Sequence, residues 1–333
     1  MSNTRDAVLT GTLEAARLHR DLDIQNRIDV FGGRVDVFAA IIDRGAQLVF
    51  KKLEGLLGAY VPAAVPGILI TTERNLAIQR YTGGHELGHF YMNHRGSLDD
   101  ETILHRSPFL SAEYESNEVS ADAFSSEFLM PEWLVEYHAK RQGWSIDSLA
   151  DVANVYQLSL RVGVSYEATC RILQKHKLIS RSSTDNLLKT EPKKIKQQLV
   201  SGHAMQNWYS NVWYLTEKDE GSAIFGEPSD VFIVRLKEHT GSGYLWNVEQ
   251  LANSGFVVIA DERKTQDGNE EIGGSVERTI MARSDEPNLG NIDFTEARPW
   301  DQADVFGRFS FAYDFRGKEH GLPRAARERL VAA

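Results

Sequence analysis

The chain has 333 residues, 42% hydrophobic and 25% charged, an ordinary globular composition with room for two or three cores, which excludes collagen-like repeats, coiled-coil rods and general disorder. Its 37 basic and 47 acidic residues give a net charge of −10, so a surface built to hold nucleic acid or anionic lipid is not expected, and any DNA contact must be local. The one cysteine, Cys170, can form no internal disulfide, and the most apolar stretch, 37–50, is broken by Asp43 and Arg44 well short of the roughly 18 uninterrupted residues of a membrane span.

Residues 1–6 carry no signal-peptide core, so a cytoplasmic protein without a membrane segment is expected. Residues 1–180 read as mostly helical, with apolar positions at three- and four-residue spacing such as Val37, Ala40 and Ile41, then Leu48 on the same face. The short apolar run Gly67-Ile68-Leu69-Ile70 reads as a strand, either an edge that pairs with an extended substrate or a buried core strand.

His85-Glu86-Leu87-Gly88-His89 follows, the HExxH pattern. On a helix the two histidines share a face and can reach one metal, while Glu86 flanks them. The pattern needs a third ligand. The histidine that metzincins place six residues further on, with a glycine between, is absent, since Arg95 and Met92 occupy those positions. His94 would point away from His89 if the helix continued. A carboxylate from a second helix fits better: Glu118, with Glu115 as next choice, and Asp122 one turn on to accept the second ring N–H of His85. The bland alternative is a solvated acidic face, because Glu113, Glu115 and Glu127 crowd the same stretch. One zinc per chain, held by His85, His89 and Glu118, would activate water and polarise a carbonyl, with Glu86 as general base and then acid. Tyr91, His94, His105 and Tyr114 are candidate oxyanion donors.

Residues 149–179 have a helix-turn-helix look, with Arg171, Lys175, Lys177 and Arg181 in and just after its second half. Packing on the domain core is favoured over direct DNA binding, because no base-reading set of side chains stands out. Residues 181–202, with Pro192 and the run Lys193, Lys194, Lys196, read as a polar basic linker. From 203 onward the texture is strands: 231–234, 256–259, 276–281, 292–294 and 309–315, where Phe309, Phe311, Tyr313 and Phe315 alternate with smaller or polar residues. Residues 201–333 hold 14 basic and 22 acidic residues, so most of the negative charge belongs to this part.

Two resemblances are specific. Gln79 to His89, Glu118 to Asp122, and Ala123 to Pro131, with the strand 67–70 upstream and Val164 to Leu173 downstream, resemble the ImmA/IrrE family of regulatory metallopeptidases over roughly residues 25–180. Gly83-Gly84 replaces the more usual apolar-alanine pair, and Ser120 stands where a glutamate is common. The resemblance implies a hydrolase that cuts a helix-turn-helix transcriptional repressor in stress response or transcription regulation. His239 to Trp246, Glu271 to Gly274, and Arg298-Pro299-Trp300 resemble the three loop motifs of chagasin-like inhibitors of papain-type cysteine peptidases, over about 205–320. His239-Thr240 replaces an Asn-Pro pair, and Glu271 replaces a glycine. That resemblance implies loops at Gly243, Tyr244, Trp246, Gly273, Gly274, Arg298, Pro299 and Trp300 that contact a cysteine peptidase or serve another recognition role, unless the aromatic residues fill the core.

The expected architecture is therefore α+β: a mainly helical, zincin-like metallopeptidase domain with a small sheet over 1–180, the linker, and an all-β immunoglobulin-like sandwich over 203–333.

Overall fold

A computed structural model describes residues 2–30, 32–101, 115–205, 207–265 and 276–332. The chain divides into two units: Met1–His138, Arg161–Leu178 and Lys318–Ala333 form the first, and Ala139–Leu160 and Ile179–Gly317 the second. The first is a mainly helical domain with a small sheet, and the second is an all-β sandwich with short helices.

The first unit opens with α1 (Ser2–Asp21) and α2 (Val37–Asp43). Asp36 caps α2, its carboxylate accepting from the amides of Phe38 and Ala39 at 3.1 and 3.0 Å, an N-terminal device that satisfies donors the helix leaves unpaired. β1 (Gln47–Lys51), β2 (Gly58–Val61) and β3 (Gly67–Thr71) follow, then α3 (Leu76–Tyr91), β4 (Ser97–Asp99) and α4 (Ser116–Leu129). The four strands form one sheet in the order β1-β3-β2-β4. β3 is thus flanked on both sides, parallel to β1 and antiparallel to β2, with Ile68 and Ile70 fully buried. Of the two readings of this strand, the edge that captures a substrate is excluded, because both rows of its backbone groups are already paired.

α1 packs closely on α4, and Gly11 is the reason: a Cβ there would overlap the carbonyl oxygen of Ser120 and press on the amide of Phe124, both backbone. Gly11→Ala gains about 1 kcal/mol of helix propensity and loses more to overpacking, for a net expected cost of about 2 kcal/mol. Gly83→Ala is the control. Its nearest neighbours are the side-chain atoms Ile70 Cδ1 and Phe38 Cε1 at 3.2 Å, so its stability should stay within about 1 kcal/mol of wild type by urea unfolding. Equal stability of the two variants would contradict the close α1–α4 contact.

α5 (Glu132–Gln142) and α6 (Val152–Val162) each run across a unit boundary, and α7 (Tyr166–Lys175) belongs to the first unit. The turn between α6 and α7 is tied to α3: buried Arg80 donates from Nε to the Gly163 carbonyl and from Nη2 to that of Val162, both at 3.1 Å. The guanidinium thereby covers carbonyls that the end of α6 leaves unpaired. On the exposed side of α7, Arg171 is paired with Glu167 at 2.7 Å, so this face carries a neutralised pair. The helical pair that resembled a DNA-binding motif is anchored in the core.

The segment read as a linker is helical: α8 (Arg181–Leu188) and α9 (Pro192–Leu199). Ser180 caps α8 through its hydroxyl, 3.1 Å from the Ser183 amide, and Pro192 opens α9, where a missing N–H costs nothing. Each helix buries only two residues, Thr184 and Leu187 in one and Ile195 and Lys196 in the other. The mostly polar remainder hid the period.

β5 (Val212–Thr216), β6 (Ser222–Phe225), β7 (Val231–Glu238) and β8 (Leu245–Asn247) come next. α10 (Glu249–Asn253), β9 (Val257–Thr265), β10 (Val276–Arg283), β11 (Leu289–Arg298) and β12 (Asp301–Asp314) complete the second unit. The strands form two sheets, β5-β7-β10-β9 and β6-β12-β11-β8. Phe232, Val234 and Ile280 from the first meet Phe294, Phe309 and Phe311 from the second in one core. β7 reads as a continuous apolar run because both its faces are covered: Val231 and Ile233 belong to a second cluster with Val200 and, partly buried, Leu199. The chain then returns to the first unit. Gly321 bridges to Phe50 on β1, and α11 (Arg324–Ala332) ends the described chain. Among the described residues no helix is long and apolar enough to cross a membrane.

Candidate metal centre

α3 starts at the Asn75 cap, whose side chain accepts from the Ile78 amide at 3.1 Å. It then runs through buried surroundings, with His85, Glu86 and His89 almost wholly inaccessible. Gly84 and Gly88 line the side facing α4. A Cβ at Gly84 would run into Ser125 Oγ, and one at Gly88 would sit 3.2 Å from Ala121 Cα and Phe124 Cβ. These two glycines let α4 approach closely enough for its carboxylates to reach the imidazoles, which gives a physical reason for glycine at 84.

The two Nε2 atoms of His85 and His89 lie 3.0 Å apart. Glu118 on α4 spans them, with Oε2 3.3 Å from His85 Nε2 and Oε1 3.5 Å from His89 Nε2. His85 Nδ1 is 2.9 Å from Asp122 Oδ1, and that oxygen also accepts from the Tyr81 hydroxyl at 2.9 Å. The Asp122 carboxylate thus lies beside Nδ1, where it favours a proton on that nitrogen and leaves Nε2 facing Glu118 and His89. Glu118 sits in the first turn of α4, where the helix dipole favours a carboxylate. Burial opposes its ionisation, yet the two histidines hold its carboxyl well below the usual carboxylate range. Burial likewise opposes charge on His85, but Asp122, Glu118 and Asp99 hold its imidazole well above the ordinary value.

His94 occupies a place the straight helix would not give it. α3 ends at Tyr91 with Met92 as its cap, Asn93 adopts a left-handed conformation (φ 56°), and the His94 amide returns to the His89 carbonyl at 2.9 Å. This is a Schellman turn with asparagine at its left-handed position. It brings His94 Nδ1 to 3.2 Å from His89 Nδ1. Burial and the neighbouring His89 push His94 down to about 4, so near neutrality it is an uncharged ring in hydrogen-bond contact with that of His89. It is a partner of His89 and stands outside the group of converging donors.

Glu86 points elsewhere, its Oε2 accepting from the Ser97 hydroxyl at 2.6 Å, while Oε1 makes no hydrogen bond among the described residues. Burial drives its carboxyl well above the ordinary value, with Asp99 adding to the effect and His85 opposing it. Gly58 on β2 leaves room for this carboxylate, since a Cβ there would collide with Oε1. Glu115, the second choice for a ligand, is exposed at the start of α4. The Tyr91 hydroxyl donates to Asp21 at 2.8 Å, which commits it to α1. His105, Glu113 and Tyr114 lie outside the described residues.

The sequence reading missed Asp99 and Ser97. His85, His89, Asp99 and Glu118 offer ligand atoms all within 4.8 Å of one another. β4 runs Ser97 in, Leu98 out, Asp99 in, so its polar residues face the interior while Leu98 is 74% exposed. That inverted alternation was the only sign. The donor set of two imidazole nitrogens and carboxylate oxygens suits a divalent ion such as zinc. Asp99 Oδ2 is buried beside the Glu86 carboxyl and makes no hydrogen bond by geometry among the described residues, which also fits an ion, because a polar atom so placed needs a partner.

In the second unit, the first and third loop motifs come together. Gly243 has a left-handed φ of 80° and lies under the Trp300 ring, where a Cβ would collide with Cη2. The Arg298 guanidinium lies 4.7 Å from the centre of the Tyr244 ring, a cation–π arrangement, and both side chains engage Asp304, at 3.2 and 2.9 Å. Pro299 and Trp300 form the tip of the β11–β12 hairpin, with Trp300 74% exposed. Trp246 is instead a core residue: its indole N–H donates to the Lys237 carbonyl at 2.9 Å and its ring joins the sandwich core. Gly273 and Gly274 lie outside the described residues, as does Glu271.

The HExxH pair with a carboxylate from the next helix is the arrangement of a metallopeptidase-type domain, here joined to a β-sandwich. Residues 43–174 match the IrrE N-terminal-like domain of a peptidase family, and residues 227–314 match the chagasin family of peptidase inhibitors. No curated protein matches the chain. Similar solved structures include a cysteine protease inhibitor from Entamoeba histolytica, 18% identical over 32% of this chain and 98% of that one, with a TM-score of 0.29. Amebosin is 19% identical over 31% of this chain and 96% of its own, with a TM-score of 0.26. A chain of the PbICP-C complex with falcipain-2 is 13% identical over 32% and 88%, with a TM-score of 0.20.

Proposed function

We propose that the chain is a cytoplasmic, zinc-dependent endopeptidase that cleaves a regulatory protein, a helix-turn-helix transcriptional repressor being the substrate class, with the β-sandwich as its recognition or regulatory module. The observation that carries this reading is the convergence of His85, His89 and Glu118 donors beside a buried Glu86. A bound zinc supplies a Lewis acid that activates water and polarises the scissile carbonyl. The chain's own residues do the rest. Asp122 lies against the outer nitrogen of His85 and His94 against that of His89, leaving both Nε2 atoms to bind. Ser97 holds Glu86 by Oε2, which leaves Oε1 to take a proton from water and return it to the departing amine. No DNA contact and no membrane contact form part of this reading.

The purified full chain should carry about one zinc by elemental analysis, and the double variant His85→Ala, His89→Ala should carry none. Incubated with the repressor encoded nearest to its gene, the zinc-loaded chain should yield one new pair of fragments by mass spectrometry. Zinc-free wild-type protein, or an uncut repressor, counts against the proposal.

A second reading, inhibition of a papain-type cysteine peptidase, draws on the exposed Trp300 seated on Gly243 and the chagasin-family match. Under it the full chain inhibits papain, and Trp300→Ala weakens that inhibition about 30-fold, the loss of an aromatic anchor worth about 2 kcal/mol. Undiminished papain activity at micromolar chain removes it.

A further inference from the structure

The coordination expected of a peptidase site leaves one position open, yet the protein places a fourth donor there. Asp99 is 3% exposed, its Oδ2 makes no hydrogen bond among the described residues, and that oxygen lies 3.6 Å from His85 Nε2. A tetrahedral zinc with nitrogen and oxygen donors at about 2.0–2.1 Å has donor–donor edges of about 3.3–3.4 Å. The separations here are 3.0 Å between the imidazoles, 3.3 and 3.5 Å from them to Glu118, and 3.6 Å from His85 to Asp99. Those separations are close to such edges, and the ligand atoms of all four residues lie within 4.8 Å of one another.

We propose that Asp99 is a fourth protein ligand, so that the resting site is closed and admits a substrate carbonyl only after this carboxylate withdraws. The proposal rests on the metal-site reading above and deepens it into a latent enzyme. A site with four protein donors holds an ion without an exchangeable position, whereas three donors leave one. The element that carries Asp99 is suited to letting go. β4 has three residues and, among the described residues, pairs with β2 alone. The Asp99 backbone is held by its carbonyl, which accepts from the Leu57 amide at 2.7 Å, so its side chain can swing without breaking the strand.

The test uses the full chain loaded with cobalt(II), whose visible bands are intense for a four-coordinate ion and weak for five or six ligands, with acetohydroxamate as the probe of an open position. The wild-type chain should show intense bands that acetohydroxamate leaves unchanged. Asp99→Ala should bind acetohydroxamate, with shifted bands, at a concentration lower by about tenfold or more, a change of the size that ligand-sphere substitutions produce. Should Asp99→Ala fail to fold, Asp99→Asn keeps the side-chain shape and is expected to show the same shift. Wild-type bands that respond to acetohydroxamate at the same concentration as the variants overturn the proposal while leaving the metal site intact. A wild-type chain that retains no cobalt overturns both.

Discussion

Glu86→Gln should leave the protein folded and zinc-loaded while cleavage falls by at least about 100-fold, the low end of what a positioned general base contributes. The side chain is fully buried on α3, next in sequence to a histidine of the donor cluster, and Ser97 holds one of its oxygens at 2.6 Å. Glutamine keeps the volume and can still accept from Ser97. What it loses is an oxygen that takes a proton. Burial already drives the Glu86 carboxyl well above the ordinary value, so the charged form is costly there, and a neutral amide should leave the melting temperature unchanged or slightly raised. Elemental analysis, thermal melting and mass spectrometry of the repressor together separate the outcomes. Cleavage within tenfold of wild type, with zinc bound, would mean that another group accepts the proton.

The placing of the donor cluster follows from sequence features that are local: two histidines and a glutamate on one helix, and Glu118 and Asp122 one turn apart on another. Asp99 was not legible there, since a three-residue strand carries no periodicity worth reading and its partner His85 is reached only through the sheet. His94 was misplaced for a definite reason. Extrapolating the helix past Tyr91 ignores Asn93, whose left-handed conformation reverses the chain and lays the ring against His89. In the second unit the long alternating strand at 309–315 announced itself, whereas β5, β6 and β8, with three to five residues each, did not. The supposed linker misled because each short helix buries only two residues, too few to show a period. Trp246 belongs to a loop motif by sequence and to the core by packing, because β8 pairs with β11 and its indole lies in the core between the sheets.

Arg278→Leu should cost the second unit about 3–5 kcal/mol, the usual result of removing one partner of a buried ion pair, and lower its melting temperature by about 10 °C. Arg278 on β10 joins three other strands. One guanidinium nitrogen reaches Glu238 Oε1 on β7 at 2.9 Å and the Trp246 carbonyl on β8 at 2.5 Å, and the other two nitrogens hold Asp261 on β9 at 2.8 and 2.7 Å. Glu238 is fully buried. Leucine there would fill the space but leave this carboxylate with the Trp246 amide and the partly exposed Arg263 as its remaining partners. The Trp246 carbonyl would lose this side-chain donor, and that residue leads directly from the Gly243-Tyr244 loop. Arg278 also holds the Asp261 carboxyl below its ordinary value. That contribution is present above the unfolded aspartate pKa of about 4 and lost as pH falls through the lower folded value, so the variant's stability should vary less with pH in acid than the wild type's. Arg278→Lys keeps the charge but cannot span Glu238, the carbonyl and both oxygens of Asp261 at once, and should fall between the two. Urea unfolding of Arg278→Leu within about 1 kcal/mol of wild type would show that the sandwich does not depend on this buried network.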